Sequence, residues 1–307
     1  MLNLILAIIC SSTIALVFKF SESSNLNRYA VTTVNYAAAS AVSFFQVILS
    51  GVGFPNSDDF NSFFSQFSNV LKEAGSFDSS ASKGWAVFLG LLMGVFFFLA
   101  FIFYQRSVRE SGVGLSGAFS KLGIMLPVLL SMFLWGEYPF GFQWYGIALT
   151  VFAIIIINLP SLDAKFSSMN FKFSLFLLFI FGGLSEFSNK IYQKYGLADY
   201  KSLFLLCIFF SAFVFSLITL LRSLKKKKPA LKELFTGIAV GIPNLFSSFF
   251  LIAALGTIKS SVAYPVYSLG SIILITFGGI VIFREKPGKK EVLGIVTSSV
   301  AILFLTV

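Results

Sequence analysis

The sequence predicts an all-α integral membrane protein in which ten transmembrane helices form two inverted five-helix repeats. Three observations carry this expectation. Of 307 residues, 57% are hydrophobic and only 12% charged, with a mean hydropathy of +0.88, whereas a soluble domain carries about 25% charged residues. Apolar runs of about 18 residues or more recur along the whole length, the signature of helices crossing a bilayer. Finally, the segment after the ninth span repeats the segment after the fourth at a constant spacing.

The ten spans fall at roughly 2–20, 30–50, 85–105, 113–135, 142–159, 172–192, 202–221, 234–256, 262–283 and 291–307. At 1.5 Å rise per residue each is long enough for about 30 Å of hydrocarbon. The first segment, LNLILAIICSSTIALVF, has no basic leader and outruns a signal-peptide core, so it reads as a retained span. Most connections are short, which makes neighbouring spans antiparallel. The exception is 51–84, where Phe60, Phe63, Phe64, Phe67, Val70 and Leu71 recur at helical spacing among Asn61, Ser62, Ser65, Gln66 and Ser68. That pattern is an amphipathic helix, lying on the membrane surface or packed over the mouth of the bundle.

The repeat shows best after the fourth and ninth spans. FLWGEYPFGFQWYGIALT aligns with VIFREKPGKKEVLGIVTS, pairing Glu137 with Glu285, Pro139 with Pro287 and Gly146 with Gly294. Lys19, closing the first span, matches Lys190 in the sixth. Five spans therefore follow five spans, 1–160 and then 161–307, with the 51–84 helix inserted in the first set. An odd number per copy forces opposite insertion, and such copies build a midplane site that opens alternately to either side. In its ten spans, its two halves, and its WGEYP and FREKP turns, the chain resembles the drug/metabolite transporter superfamily, in its EamA-like branch. The resemblance covers all but the 51–84 insertion. It implies a secondary carrier of small metabolites whose central cavity is lined mainly by spans one, three, four, six, eight and nine.

The net charge of +10 does not indicate nucleic acid. Sixteen Lys and Arg lie in the odd-numbered connections, Lys165 and the Lys225–Lys228 run among them, against six in the even-numbered ones. That bias places the odd connections in the cytoplasm and both termini outside; the resemblance implies both termini inside. The lysine run is topogenic, with attraction to anionic headgroups a secondary effect. Cys10 and Cys207 both lie inside apolar runs, which argues against a disulfide framework. Histidine is absent, and no metal-ligand cluster, P-loop or dinucleotide fingerprint appears, so neither a cofactor nor an enzyme is expected.

The candidate chemistry lies in the spans. Lys121, in SKLGIMLP, sits near the centre of the fourth span, where a charge costs about 2.5–3.5 kcal/mol and must face the bundle interior. Glu186, in GGLSEFSNK, is the carboxylate well inside a span. Either the two form a structural ion pair, or Lys121 holds a substrate carboxylate or phosphate while Glu186 holds a substrate amine or takes up a coupling proton. Lys190, at i+4, offers Glu186 a local partner instead. Tyr264, Tyr267 and Ser271 share one helical face of the ninth span, beside Pro265. Asn244, beside Pro243, needs either a neighbouring helix or the substrate. Tyr104, Gln105 and Trp85 of the third span are further lining candidates, or interfacial anchors. Gly112, Ser116 and Ser120, and likewise Gly237 and Gly241, suit helix packing. Glu137 and Glu285 read as capping or inter-loop acids rather than substrate ligands.

These expectations add up to a secondary active transporter of a small polar metabolite, such as an amino acid or organic anion, in the plasma or inner membrane. Its partners are that solute, the lipid bilayer and a coupling proton or counter-substrate, with a monomer or homodimer as the assembly. The alternatives are an efflux pump for lipophilic drugs and a non-transporting scaffold or lipid-binding protein.

Overall fold

The structure, a computed structural model, describes residues 1–23, 26–73, 75–158, 172–223 and 230–306. Lys165, Lys225–Lys228 and the 160/161 boundary lie outside the described residues. Helices account for every predicted span: α1 (Leu2–Ser23), α2 (Arg28–Leu49), α3 (Ser57–Glu73), α4 (Ser79–Ser111), α5 (Val113–Leu122), α6 (Met125–Trp135), α7 (Gln143–Asn158), α8 (Phe173–Tyr195), α9 (Lys201–Ser223), α10 (Leu231–Leu255), α11 (Ser260–Phe283) and α12 (Lys289–Thr306). Among the described residues there is no strand.

Seven segments are long and apolar enough to cross a membrane: those of α1, α2, α4, α5 with α6, α9, α10 and α11. The chain is therefore a multi-pass integral membrane protein. The other three predicted spans fall short for visible reasons. The helix α7 has only 16 residues. The helix α8 has 23 but carries Glu186, Asn189 and Lys190, and α12 opens on Lys289-Lys290-Glu291. Two expectations for single spans change. The third is a 33-residue helix, about 50 Å at 1.5 Å per residue. The fourth is broken in two.

Two compact units divide the chain, and each draws on both sequence halves: residues 1–98 with 188–257, and residues 99–187 with 258–307. In the first, α1 packs on α10, and α2 packs on both α9 and α10. Small residues let backbones meet here. A methyl group added at Gly90 would stand 2.6 Å from Cys207 Cβ and 2.7 Å from Phe204 O, and one at Gly94 would strike Ile208 O and Ser211 Cβ. On α10, a methyl group at Gly237 would stand 2.5 Å from Val34 Cβ and 2.9 Å from Val31 O, and one at Gly241 would strike Asn35 O and Ala38 Cβ. Residues 204, 207, 208 and 211 of α9 thus receive α4 in the steps by which 31, 34, 35 and 38 of α2 receive α10.

In the second unit α7 packs on α12, and α11 packs on α6, α7 and α12. A methyl group at Gly146 near the start of α7 would stand 2.7 Å from Leu305 Cγ near the end of α12, while one at Gly294 near the start of α12 would strike Ile157 near the end of α7. The two helices are antiparallel and exchange equivalent contacts. Both α6 and α11 end on a left-handed residue, Gly136 (φ 63°) and Arg284 (φ 54°). Each is followed by a glutamate whose amide bonds back to the helix, Glu137 N to Ser131 O at 3.3 Å and Glu285 N to Gly279 O at 3.2 Å.

The amphipathic α3 is docked on the start of α4. Phe63 is 1% exposed and lies among the rings of Phe67, Phe77, Trp85 and Phe88, over Gly84, whose missing side chain admits it. Trp85, itself buried, is part of this cluster. Asp59, buried on the same face, accepts from Ser80 Oγ at 2.7 Å and Asn56 N at 3.0 Å, with Lys83 Nζ at 3.7 Å. Burial alone would push this carboxyl up, but the bonds from Ser80 and Asn56 and the Lys83 ammonium outweigh it and hold Asp59 below the usual carboxylate range. A depressed folded value means that its contribution is full above the unfolded value, about 3.9, and is lost as pH falls through the folded one. Asp59→Asn should therefore leave 57–73 open to pepsin at about pH 4, where the parent chain resists and yields only at lower pH. Equal resistance of both proteins would refute this anchoring role.

Candidate functional site

The fourth span breaks where Pro127 removes the amide that would bond to Gly123 O. Leu126 N bonds to Gly123 O instead, at 2.9 Å, and Ile124 N to Lys121 O at 3.3 Å, so α5 ends in a tight turn before α6 begins. Lys121 lies in the last turn of α5, where the helix dipole favours a cation. A backbone break at membrane depth is tolerated where protein or a cavity surrounds it.

The broken span meets α8 at two glycines. A methyl group at Gly183 would stand 2.6 Å from Gly123 O and 2.6 Å from Leu126 Cβ, and one at Gly123 would stand 3.1 Å from Gly183 N. This crossing fixes Lys121, two residues before Gly123, and Glu186, three residues after Gly183, in one neighbourhood. Each lies within electrostatic reach of the other. Both side chains are half-buried. Among the described residues neither makes a salt bridge within 4.0 Å or a side-chain hydrogen bond. They are coupled without being bonded.

The wall behind Glu186 is rigid. Tyr264, fully buried, donates its hydroxyl to Glu186 O at 2.8 Å. Phe187 lies against Trp135 at 5.5 Å between ring centroids, and Phe181 stacks on Phe103 at 5.5 Å and 9°. Tyr267 and Ser271 are buried on the same helix, Ser271 Oγ donating back to Tyr267 O at 2.7 Å. Tyr104 belongs to the same compact unit as these residues and is half-buried.

Asn244 belongs to the other unit, and there it donates from Nδ2 to Asn35 Oδ1 of α2 at 3.1 Å. Of the two partners the sequence left open, the neighbouring helix is the one found. Lys190 is 3% exposed and donates to Gln193 Oε1 at 3.0 Å. Gln105 is buried, with Nε2 unbonded among the described residues. Glu137 takes the capping role expected of it, accepting from Ser260 N at the start of α11 at 2.9 Å. Gly112 is not on a packing face: it sits in the turn before α5 with φ 82°, a conformation open to glycine, and Ser116 bonds back to its carbonyl at 2.8 Å.

Two features escaped the sequence reading. Gly90 and Gly94 show the same four-residue spacing as Gly237 and Gly241, within FLGLLMGVFFF, and that spacing was the available signal. Glu233, 1% exposed, accepts from Asn27 N at 3.0 Å and from Ala230 N, so one carboxylate serves the starts of both α2 and α10. Its position three residues after Ala230, at the head of an apolar run, was the clue.

Among the described residues no cluster of His, Cys, Asp and Glu could hold a metal ion. No protein-family model matches the chain. A relative in Haemophilus influenzae, described as an uncharacterized protein, is 25% identical over 307 residues, 99% of this chain and 97% of its own length. A solved crystal structure, described no further than as that of a protein, superposes with a TM-score of 0.71 at 15% identity, covering 100% of this chain and 97% of that one. At that identity the likeness shows the fold alone, and it extends from end to end.

Proposed function

We propose that the chain is a secondary active carrier that moves a small polar metabolite by alternating access. Ten spans in two oppositely inserted five-helix copies would rock about a site containing Lys121 and Glu186, as in the drug/metabolite transporter superfamily that the sequence resembles, in the plasma or inner membrane. The observation that carries the reading is the reciprocity of the helix contacts. The contact of Gly146 with Leu305 and that of Gly294 with Ile157 are one contact made twice with the copies exchanged, on antiparallel helices. Reciprocal contacts of this kind are what a two-fold axis produces, and antiparallel partners put that axis across the helices, which is the inverted-repeat arrangement of carriers. The paired seats of Gly90 with Gly94 and of Gly237 with Gly241 support the same correspondence.

In this reading α8 falls short as an apolar span because it carries the site, and the polar groups that lower its hydropathy are the functional ones. A charge pair held in hydrocarbon without direct bonds is costly, and a transported solute gives it a purpose. The test is flux. Purified protein in proteoliposomes should accelerate movement of at least one class among amino acids, organic acids, sugars and nucleosides, and the same solute should raise the thermal midpoint by mass action. Selective flux of lipophilic cations instead would favour drug efflux, and no flux in any class would contradict the carrier reading.

A further inference from the structure

The way Lys121 and Glu186 are held narrows the solute, given the carrier reading above. The spacing that pairs Glu137 with Glu285 places Leu269 opposite Lys121, and the spacing that pairs Lys19 with Lys190 places Ala15 opposite Glu186. Leu269 is fully buried. At each of the two positions, then, one copy carries an apolar residue where the other carries a charge, so neither position needs its charge in order to fold. The two charges come one from each copy, on two helices pressed together at Gly123 and Gly183, and neither charged group has a hydrogen bond or salt bridge among the described residues.

We infer that the site takes a small zwitterion of the α-amino-acid class, its carboxylate on Lys121 Nζ and its ammonium on the Glu186 carboxylate. A lone anion would satisfy Lys121 and leave Glu186 an unbonded charge in hydrocarbon, and a lone cation would do the reverse. A solute carrying both charges on neighbouring carbons bonds both at once and keeps the occupied site neutral. Sites built to bond a particular polar group reject analogues that lack it, because the protein group is then left unpaired. Tyr264, bonded to Glu186 O at 2.8 Å, and the Phe187–Trp135 contact fix the backbone from which the Glu186 side chain extends.

The experiment uses the full-length chain, purified and in proteoliposomes, with the twenty common amino acids and, for each, its des-amino acid and its decarboxylated amine. At least one amino acid should bind and be transported, with both of its analogues weaker by about tenfold or more. Lys121→Leu and Glu186→Gln should each weaken that amino acid by about tenfold or more at an unchanged thermal midpoint of the unliganded protein; Lys121→Met serves as a second variant if Lys121→Leu does not fold. An analogue that binds as tightly as its parent would overturn the zwitterion inference, as would transport of sugars, nucleosides or simple acids without any amino acid, and both outcomes leave the carrier reading standing. If nothing in any class is transported, the carrier reading falls as well.

Discussion

If the chain is the carrier proposed above, Lys121→Leu should stop transport and leave the unliganded protein as stable as before or more so. The substitution installs the residue that the proposed second copy carries at the aligned position, Leu269, so on that reading the local fold accommodates it. It also removes an intramembrane charge worth about 2.5–3.5 kcal/mol on insertion scales. The loss appears in function: a charge-assisted bond to the solute is worth about 1.5–3 kcal/mol, or about 10- to 100-fold in affinity. The competing account, a structural ion pair between Lys121 and Glu186, predicts the opposite pattern. Breaking such a pair strands a buried carboxylate and costs about 3–5 kcal/mol, so the midpoint falls steeply. Measuring thermal midpoint and flux on one preparation separates the two, and a destabilised variant with normal residual flux would sink the site assignment.

Gly94→Ala and Gly241→Ala each destabilise the protein, and by similar amounts. The added methyl meets a backbone carbonyl in both cases, Ile208 O from α4 and Asn35 O from α10, and neither carbonyl can turn aside as a flexible side chain would. Overpacking of this kind costs about 1–3 kcal/mol. The equality is the informative part, because the two positions are equivalent only if the copies are. Gly182→Ala, where an added methyl meets nothing within 4 Å, should be neutral and serves as the control. Denaturant or thermal unfolding in detergent reads all three. A large effect at one glycine with none at the other would contradict the equivalence.

How far the sequence carried can be judged from particular residues. The helical segments were legible because period and length in apolar runs are physical requirements of the bilayer, and helix ends fell within a few residues for most of them. Lys121 and Glu186 stood out because a charge in hydrocarbon is too costly to be incidental. The break in the fourth span was not read, although Gly123 and Pro127 were both in view, since apolar content alone ran straight through them. The seat of α3 on α4 was not legible because one apolar face serves lipid or protein equally; Gly84 and the buried Asp59 mark that seat, and neither is an apolar signal. Asn244 stayed open for a similar reason: its partner Asn35 lies 209 positions away. Gly90 and Gly94 were hidden by the bulk around them.

The most direct test of the central claim uses two equivalent exposed positions. Phe140 follows the Glu137 turn, and Gly288 follows the Glu285 turn at the same spacing; both are exposed. Phe140→Cys and Gly288→Cys should react with a membrane-impermeant maleimide from opposite faces of sealed vesicles of known orientation, one from outside and the other only after the lumen is opened. Labelling of both from the same face would mean that the copies are inserted in parallel, and the proposed inverted arrangement would be wrong.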